Sequence, residues 1–387
     1  MKRILTFILT LTLALSFCVN SFAAATTATA SETQTGTSEA QTDTSKTQAG
    51  TSEAQTDTSK VQAGASYGIS NLSGAPDIVA ESAVVMDANT GTILYGKEAD
   101  TKRYPASITK VMTALLAVEN CKMSDVITYS NAAVNGIEAG SSTAGINVGA
   151  KLTVEDSLYA LMLVSANEAA AAIAEHISGS TTEFAKLMTK RAKELGCTNT
   201  QFKNPHGLPN EEHYTTAHDI GLILKEAMKH EEFRKISGTI SYTLKKSDTL
   251  KDTLELWNHA KSLREKSDYY YKKAEGAKTG FTQVALNTLV TYAKKDSVEH
   301  NWVILKDYGA DKSYTDTANL FKWAFNQVKS VTPLTDFSLK TAMTANTSID
   351  SSKLNQIQLL NSGYDKNFSV LVKKDFNESD LKTAFKL

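Results

Sequence analysis

The sequence has few cysteines and no excess of charge of either sign. Of the 3 cysteines in 387 residues, Cys18 lies in an apolar run near the N-terminus. The remaining two, Cys121 and Cys197, are too few for a disulfide framework or a cysteine-rich metal site. They could form one bridge, but we expect two unpaired, buried thiols. Lysine and arginine number 41 against 42 acidic residues, so no single-sign field predicts binding to nucleic acid or to an anionic surface.

The chain also lacks an apolar run long enough to predict a membrane span. The apolar segment 4–19 follows Lys2 and Arg3 and precedes small residues at 21–25. It is shorter than the ~20 residues that a spanning helix needs, and its flanks are typical of a secretory signal peptide. We therefore expect residues 1–24 to be cleaved. The mature protein would be exported, either to the extracellular face of the cell envelope or as a secreted protein.

Residues 25–68 are rich in Thr, Ser, Ala and Gln and almost free of apolar side chains. A 14-residue unit, TSEAQTDTSKTQAG, begins at Thr37 and is repeated from Thr51 with one substitution. Such a stretch cannot bury enough apolar surface to offset the entropy lost on ordering. We expect a disordered tether in front of the folded part.

Hydrophobic periodicity in the remaining chain predicts an α+β fold. Helices are predicted over 107–120, 153–177 with a break near 165, 182–196, 219–229 and 315–328, and strands over 82–88, 92–95, 277–282, 286–292 and 302–306. Strands at both ends of a helical block favour an antiparallel sheet flanked by helices, with a helical subdomain, over residues 69–329. Alternating residues over 330–387 predict a small β-rich C-terminal appendage.

Three short motifs carry most of the chemistry that the sequence indicates. They are SITK at Ser107–Lys110, SAN at Ser165–Asn167 and KTG at Lys278–Gly280. A single S-x-x-K string is not specific, since Ser379–Lys382 has the same spacing. Three such strings in one order, each in a suitable local structure, favour one shared site.

Ser107 lies where a helix begins, and Lys110 is on the same face about one turn later. A serine hydroxyl becomes a good nucleophile when a neighbouring base takes its proton. Lysine can be that base if burial or a second cation, for which Lys278 is a candidate, lowers its pKa. The helix N-terminus also offers N–H groups to a developing oxyanion. Taken alone, the motif also fits an ordinary helix start with an exposed lysine.

The other two motifs each allow a catalytic and a structural interpretation. At the predicted helix break, Ser165 could relay a proton to a leaving group, while Asn167 could hold Lys110 and a substrate amide. Either residue could instead be a helix N-cap. The KTG motif opens a predicted edge strand, where Lys278 and Thr279 suit a carboxylate and Gly280 allows a close ligand approach. A basic turn before a strand would look the same.

The chain resembles the D-alanyl-D-alanine carboxypeptidases of the low-molecular-mass penicillin-binding protein family. The three motifs have the family's order, and longer strings match as well. These include SAVVMDANTGTILYGKEAD from Ser82, YPASITKVMTALLA from Tyr104 and GAKTGFT from Gly276. The match runs from about Ala80 to Val328. It implies the penicillin-binding/β-lactamase-like fold and a serine-type peptidase that acts on peptidoglycan stem pentapeptides.

The resemblance also implies roles for the first two motifs. Ser107 would form the acyl-enzyme, Lys110 would be the general base, and Ser165 and Asn167 would complete the proton network. The terminal D-alanine of the substrate leaves first, and water then releases the tetrapeptide. β-Lactams acylate the same serine. The family uses no metal or cofactor.

The third motif would bind the substrate. By resemblance, Lys278 and Thr279 hold the terminal carboxylate beside Gly280, and the backbone N–H groups of Ser107 and Phe281 form the oxyanion hole.

Membrane association would be peripheral at most, because the C-terminal segment 378–387 is too short and too weakly apolar to anchor firmly.

Two segments of the sequence depart from the family pattern. Ala285–Asn287 stands where the family usually has a small Ala-Gly pair, and an N-T-N-like string survives loosely in Trp257–Leu263. We expect both segments to border the cleft.

His206 and His213 lie seven residues apart, but no third ligand follows a recognisable metal spacing. We therefore expect no metal site there.

Two other functions are consistent with part of the pattern. A wall-associated penicillin-binding protein with little turnover is favoured only by the departures after Gly280, and the intact pair Ser107 and Lys110 opposes it. A β-lactamase of class A needs a glutamate that activates water for deacylation, and no E-x-x-L-N string stands between the second and third motifs. A D-Ala-D-Ala carboxypeptidase is the hypothesis that the sequence favours.

Overall fold

The computed structural model describes residues 72–331 and 370–375. The predicted signal peptide at 1–24, the predicted tether at 25–68 and the string Ser379–Lys382 lie outside the described residues. Those predictions stay predictions.

The described chain opens with the β-hairpin that the sequence predicts. Strands β1 (Ser82–Asp87) and β2 (Ile93–Lys97) pair in antiparallel register. Asp87 stabilises the turn, because its Oδ1 accepts a hydrogen bond from the backbone N–H of Thr90 at 2.7 Å. A short polar side chain that bonds the backbone a few residues on is typical of such turns.

A helical block follows the hairpin, and its first helix begins differently from the prediction. Ala106–Thr109 forms one 3-10 turn that passes into α1 (Lys110–Asn120), so Ser107 lies in the 3-10 turn and not in the α-helix. The rest of the block consists of β3 (Val126–Thr128), α2 (Asn131–Asn135), β4 (Lys151–Thr153), α3 (Val154–Leu163), α4 (Asn167–Ser178), α5 (Thr181–Glu194), α6 (Ala217–Ala227), α7 (Glu231–Gly238), β5 (Ser241–Leu244) and β6 (Leu254–Trp257).

The predicted helices of the block are confirmed, including the break between α3 and α4. Thr153 and Asp156 form a capping box at the start of α3, since the Thr153 side chain accepts from the Asp156 N–H and the Asp156 side chain accepts from the Thr153 N–H. Asp156 is one of the acidic residues in the first turn, and its part in the capping box explains why an acidic residue is favourable at this helix start. Helices α2 and α7 and strands β3 to β6 were not predicted, because each is only three to eight residues long and is too short to establish a period.

The chain then returns to the sheet with β7 (Ala274–Thr282), β8 (Leu286–Lys295) and β9 (Val298–Asp307). Five antiparallel strands lie in the order β2–β1–β9–β8–β7, which confirms a sheet built from both ends of the domain. β7 is an edge strand, as predicted. It begins at Ala274, however, so the prediction that Lys278 opens the strand is wrong, and the KTG motif lies inside it.

Helix α8 (Ala310–Gln327) completes the fold and begins earlier than residue 315, where periodicity placed its start. Asp307 accounts for the extra turn, since its carboxylate accepts from the Gly309 N–H at 3.0 Å and from the Ser313 hydroxyl at 2.7 Å. Strands β10 (Val328–Val331) and β11 (Val370–Lys373) pair in antiparallel register. The rest of region 330–387 is not described, so the β-rich appendage stays a prediction.

The sheet is covered on both faces. Val84, Val303 and Leu305 belong to the core that the sheet shares with the helical block, whereas Trp302 and Ile304 pack with residues of α8 on the opposite face. Neighbouring residues of a strand point to opposite faces, and β9 shows this alternation. The edge strand β7 lies beside the 3-10 turn that begins the helical block, since Gly280 of β7 closely approaches the Ser107 backbone nitrogen.

Cys121 and Cys197 are unpaired, as predicted. Cys197 is buried, but Cys121 is only partly buried, so the expectation of burial holds for one of the two. Within residues 72–331 and 370–375, no helix is both long and apolar enough to cross a membrane.

Candidate active site

Ser107 is presented by a strained piece of backbone. The preceding residue, Ala106, has a φ of +51°, a left-handed conformation that alanine seldom adopts. Gly207 packs against this turn so closely that a Cβ at Gly207 would lie 1.9 Å from the Ala106 carbonyl oxygen. Local strain of this kind is held in place by the surrounding structure and is concentrated at functional sites.

Lys110 lies directly behind Ser107 and has no exposed surface. Its Nζ is 3.1 Å from Ser107 Oγ, 2.6 Å from Asn167 Oδ1 and 2.9 Å from the carbonyl oxygen of His206. An ammonium group has three donors, and these three oxygens match them. When the amine is neutral, its lone pair can face the serine hydroxyl.

The environment of Lys110 favours the neutral amine. Burial lowers the pKa of Lys110 well below its usual value, and the positive charge of Lys278 lowers it further, while the charge of Glu168 opposes both effects. Lys278 is buried as well, and burial lowers its own pKa to about 7. The sequence-based expectation that burial and a second cation act on Lys110 agrees with this arrangement.

The second motif occupies the sharp break between α3 and α4. Ser165 has a φ of +62°, and Asn167 is the first residue of α4. Ser165 Oγ is buried without a hydrogen-bond partner among the described residues. A buried hydroxyl without a partner is uncommon in proteins, and this one borders a cavity. The N-cap interpretation does not apply, because the cap residue is Ala166 and no side chain caps the helix.

The third motif brings an edge strand up against the serine. Gly280 has no room for a side chain, because a Cβ there would lie 2.4 Å from Thr288 Oγ1 and 2.8 Å from the Ser107 backbone nitrogen. The Thr288 hydroxyl in turn donates to the carbonyl oxygen of Pro105 at 2.9 Å. Glycine at this position therefore allows β7 to approach the turn that carries Ser107.

A cavity of about 420 Å³ lies between β7 and the helical block. Six of the predicted site residues line it: Ser107, Ser165, Asn167, Thr279, Gly280 and Phe281. The other two lie behind the wall, since Lys110 is 0% exposed and Lys278 is 1% exposed. Lys278 Nζ donates to the carbonyl oxygen of Thr279 at 2.8 Å. The structure thus gathers all eight residues into one place.

The two segments that depart from the family pattern both border this cavity, as expected. Asn287 lines it and donates from Nδ2 to the carbonyl oxygen of Asp307 at 3.0 Å. His259 and Lys261, from the loose N-T-N-like string, line it too. Burial and the nearby charge of Lys278 lower the pKa of His259.

His206 and His213 are held by protein groups. His213 Nδ1 accepts from the Lys203 N–H at 3.2 Å, so its other ring nitrogen, Nε2, donates to the Thr109 hydroxyl at 2.9 Å. His206 Nδ1 accepts from the Leu208 N–H. Burial lowers the pKa of each to about 3. The carbonyl of His206, which contacts Lys110, is a site group that no side-chain pattern could indicate.

Comparison with known proteins identifies the family of the chain. The family model described as D-alanyl-D-alanine carboxypeptidase, Peptidase_S11, matches residues 70–309. The chain belongs to this family. It is therefore a serine-type peptidase, and the predicted enzyme class is confirmed.

Two curated relatives and one solved structure show how far the similarity extends. The chain is 33% identical over 313 residues to D-alanyl-D-alanine carboxypeptidase DacF of Bacillus subtilis, which covers 80% of this chain and 76% of that protein. It is 32% identical to DacA of Haemophilus influenzae over 56% of this chain, and it spans only about half, 54%, of that protein. The Streptomyces K15 DD-transpeptidase superposes with a TM-score of 0.60 at 31% identity, covering 65% of this chain and 99% of that one. The predicted fold class is confirmed.

Proposed function

We propose that this family member removes the terminal D-alanine from peptidoglycan stem pentapeptides through an acyl-enzyme on Ser107. The observation that carries the proposal is the buried Lys110 amine, 3.1 Å from Ser107 Oγ, with a pKa well below the usual value. A neutral amine at this distance can take the serine proton.

In the acylation step, Ser107 Oγ attacks the carbonyl carbon between the two D-alanine residues, and the hydroxyl proton passes to Lys110 Nζ. The oxyanion forms beside Gly280, where the backbone N–H groups of Ser107 and Phe281 would donate to it. The C–N bond then breaks. The leaving amine receives the proton that Lys110 took, relayed by the unpartnered hydroxyl of Ser165, and D-alanine departs.

In the deacylation step, water attacks the ester carbonyl on Ser107. Lys110, neutral again, accepts a proton from that water, and the serine oxygen receives it as the C–O bond breaks. The products are the tetrapeptide and free Ser107. Asn167 would hold Lys110 in place throughout, because its Oδ1 lies 2.6 Å from Nζ, and its amide nitrogen would donate to the substrate.

The terminal carboxylate of the substrate would lie against Thr279. The Thr279 hydroxyl can donate to it, and Lys278 behind the wall supplies positive charge. A β-lactam carries a carboxylate and a strained acyl group, so it would enter the same cavity and acylate Ser107. No nucleic acid, metal or cofactor has a place in this scheme.

One experiment separates this proposal from its alternatives. Release of D-alanine from a pentapeptide would be measured in parallel with covalent labelling by a fluorescent penicillin. A carboxypeptidase releases D-alanine catalytically and keeps the label for many turnover times. Labelling without release would instead indicate a binding protein with little turnover, and rapid hydrolysis of the penicillin would indicate a β-lactamase.

We also propose that the protein is exported. The signal-like segment 1–24, the polar tether 25–68 and a peptidoglycan substrate outside the cytoplasm support this. The catalytic domain would then extend over 69–329, with residues 330–387 as an appendage and membrane contact at most peripheral. Mass spectrometry of protein recovered from the cell wall and the medium would test it, because the proposal requires a mature N-terminus near residue 25.

A further inference from the structure

Glu168 directly follows Asn167 in the first turn of α4, and its side chain is almost wholly buried, with 1% exposed. Carboxylates are rarely buried unless they are paired with a cation. No lysine or arginine of the described residues lies within ion-pair distance of Glu168. Its hydrogen-bond partners are instead neutral groups of one short loop.

One oxygen of Glu168 holds four consecutive residues. Oε1 accepts from the Thr143 hydroxyl at 2.6 Å and from the backbone N–H groups of Ala144 at 2.7 Å, Gly145 at 3.1 Å and Ile146 at 3.4 Å. Hydrogen bonds to an ionised acceptor are the stronger kind. This oxygen therefore fixes the backbone path of a loop that has no regular secondary structure.

The same loop forms a wall of the active-site cavity. Ser141 and Ser142 line the cavity, and the Ser142 carbonyl oxygen accepts from the backbone N–H of Asn167 at 2.9 Å. Asn167 in turn contacts the Lys110 amine. Glu168 thus connects the loop wall to the helix start that holds the general base.

The second oxygen of Glu168 has a different environment. Oε2 is buried and has no hydrogen-bond partner among the residues that the structure describes. A negative charge left partly uncompensated by hydrogen bonds acts over a longer distance in the interior, because the surroundings screen it poorly. The charge of the Glu168 carboxylate raises the pKa of Lys110, against the influence of burial and of Lys278.

We infer that Glu168 is a positioning residue for the reaction of Ser107. Its Oε1 fixes loop 141–146 as the cavity wall beside the helix start that holds Asn167 against Lys110, and its buried carboxylate acts electrostatically on the Lys110 amine. This inference rests on the proposed function, because it assigns Lys110 the role of base.

The variant Glu168→Gln keeps an acceptor oxygen and the shape of the side chain but removes the charge. The rate of acylation by a β-lactam would be measured against pH. Without the negative charge, Lys110 loses its proton more readily, so the rising limb of the profile should move to lower pH. Glu183→Gln, which removes an exposed carboxylate on α5, is the control and should leave the limb unmoved.

Thr143→Val separates the loop from the charge. It removes one donor to Oε1 and keeps the carboxylate, so the limb should stay at the wild-type pH while the acylation rate falls. If the rising limb of the Glu168→Gln profile stays at the wild-type pH, the electrostatic role is overturned. The same holds if the limb of the Thr143→Val profile shifts as far as that of Glu168→Gln.

Amide hydrogen exchange tests the loop role without any use of activity. The Ala144 N–H bonds the Glu168 carboxylate, and a neutral amide is the weaker acceptor. We expect the Ala144 amide to exchange about tenfold faster in Glu168→Gln, a loss of ~1.4 kcal/mol of protection, with Glu183→Gln unchanged. Unaltered exchange would overturn the loop role. If wild-type protein is not acylated at all, the proposed function fails, and the exchange result still decides whether Glu168 holds the loop.

Discussion

The amino group of Lys110 lies 2.6 Å from the side-chain oxygen of Asn167, which stands 57 residues later in the chain. The same amino group is 3.1 Å from the hydroxyl of Ser107. One buried nitrogen therefore joins the serine motif of the 3-10 turn to the helix break that carries the SAN motif. Because all three side chains meet at one atom, a change in any of them should reach the chemistry of the serine.

Replacing Ser107 tests the nucleophile. Ser107→Ala removes the attacking oxygen, so covalent penicillin labelling should be abolished while the melting temperature stays near that of the wild type. Gel detection of the labelled protein is the measurement. Ser379→Ala is the matched control, since Ser379 begins the second S-x-x-K string, and its labelling should equal the wild type. Label that persists in Ser107→Ala would contradict the assignment.

Replacing Lys278 tests the electrostatic control of the base. Acylation needs neutral Lys110, so its rate should rise with pH through a pKa well below that of an ordinary lysine. Lys278→Gln removes a positive neighbour, which raises the pKa of Lys110 and moves the rising limb to higher pH. The pKa of Lys278 itself is about 7, so the two profiles should converge well above that pH. Stopped-flow acylation across pH is the test, and superimposable profiles would refute it.

Replacing Gly280 tests the close approach of β7 to the serine. In Gly280→Ala the new Cβ would lie 2.8 Å from the Ser107 backbone nitrogen, so the strand must move away. We expect acylation to fall by about 10²-fold and folding to lose roughly 1–3 kcal/mol. Gly96→Ala in β2 is the control, because its Cβ would meet nothing closer than 3.5 Å. Equal activity of the two variants would show that the approach is not needed.

Deleting the repeats tests the tether. If residues 25–68 are disordered, removal of 37–64 should change carboxypeptidase activity in solution by less than about twofold, under ~0.5 kcal/mol in barrier terms. The melting temperature should also stay the same. A marked fall in either quantity would mean that the segment packs against the catalytic domain.

The sequence predicted the parts of the fold that strong local patterns encode. The hairpin of β1 and β2, the helices α1 and α3 to α6 and the edge position of β7 follow from periodicity and turn residues. The site followed from three motifs whose residues must meet if each has a catalytic role. Each motif alone also has a purely structural interpretation. These three interpretations are independent of one another, so the occurrence of all three motifs in the family order favours one shared site.

What the sequence could not show depends on the backbone or on long-range contacts. The third partner of Lys110 is the carbonyl of His206, a group that every residue has. Glu168 is an acidic residue in the first turn of a helix, which is a favourable place for any glutamate, so its position alone indicates no further role. Only the folded chain shows that its partners lie in loop 143–146. The start of α8 likewise depends on Asp307, which periodicity does not detect.

The order of strands in the sheet has a consequence for how the chain must fold. Ser82 of β1 pairs with Leu305 of β9. Strand β1 can therefore pair with β9 only after nearly the whole domain has been synthesised. Pairing between such distant segments requires a large loop to close and slows folding. Until then β1 offers an unpaired edge, which is prone to associate with other chains. A product that stops before β9 should therefore aggregate even if its helical block is complete.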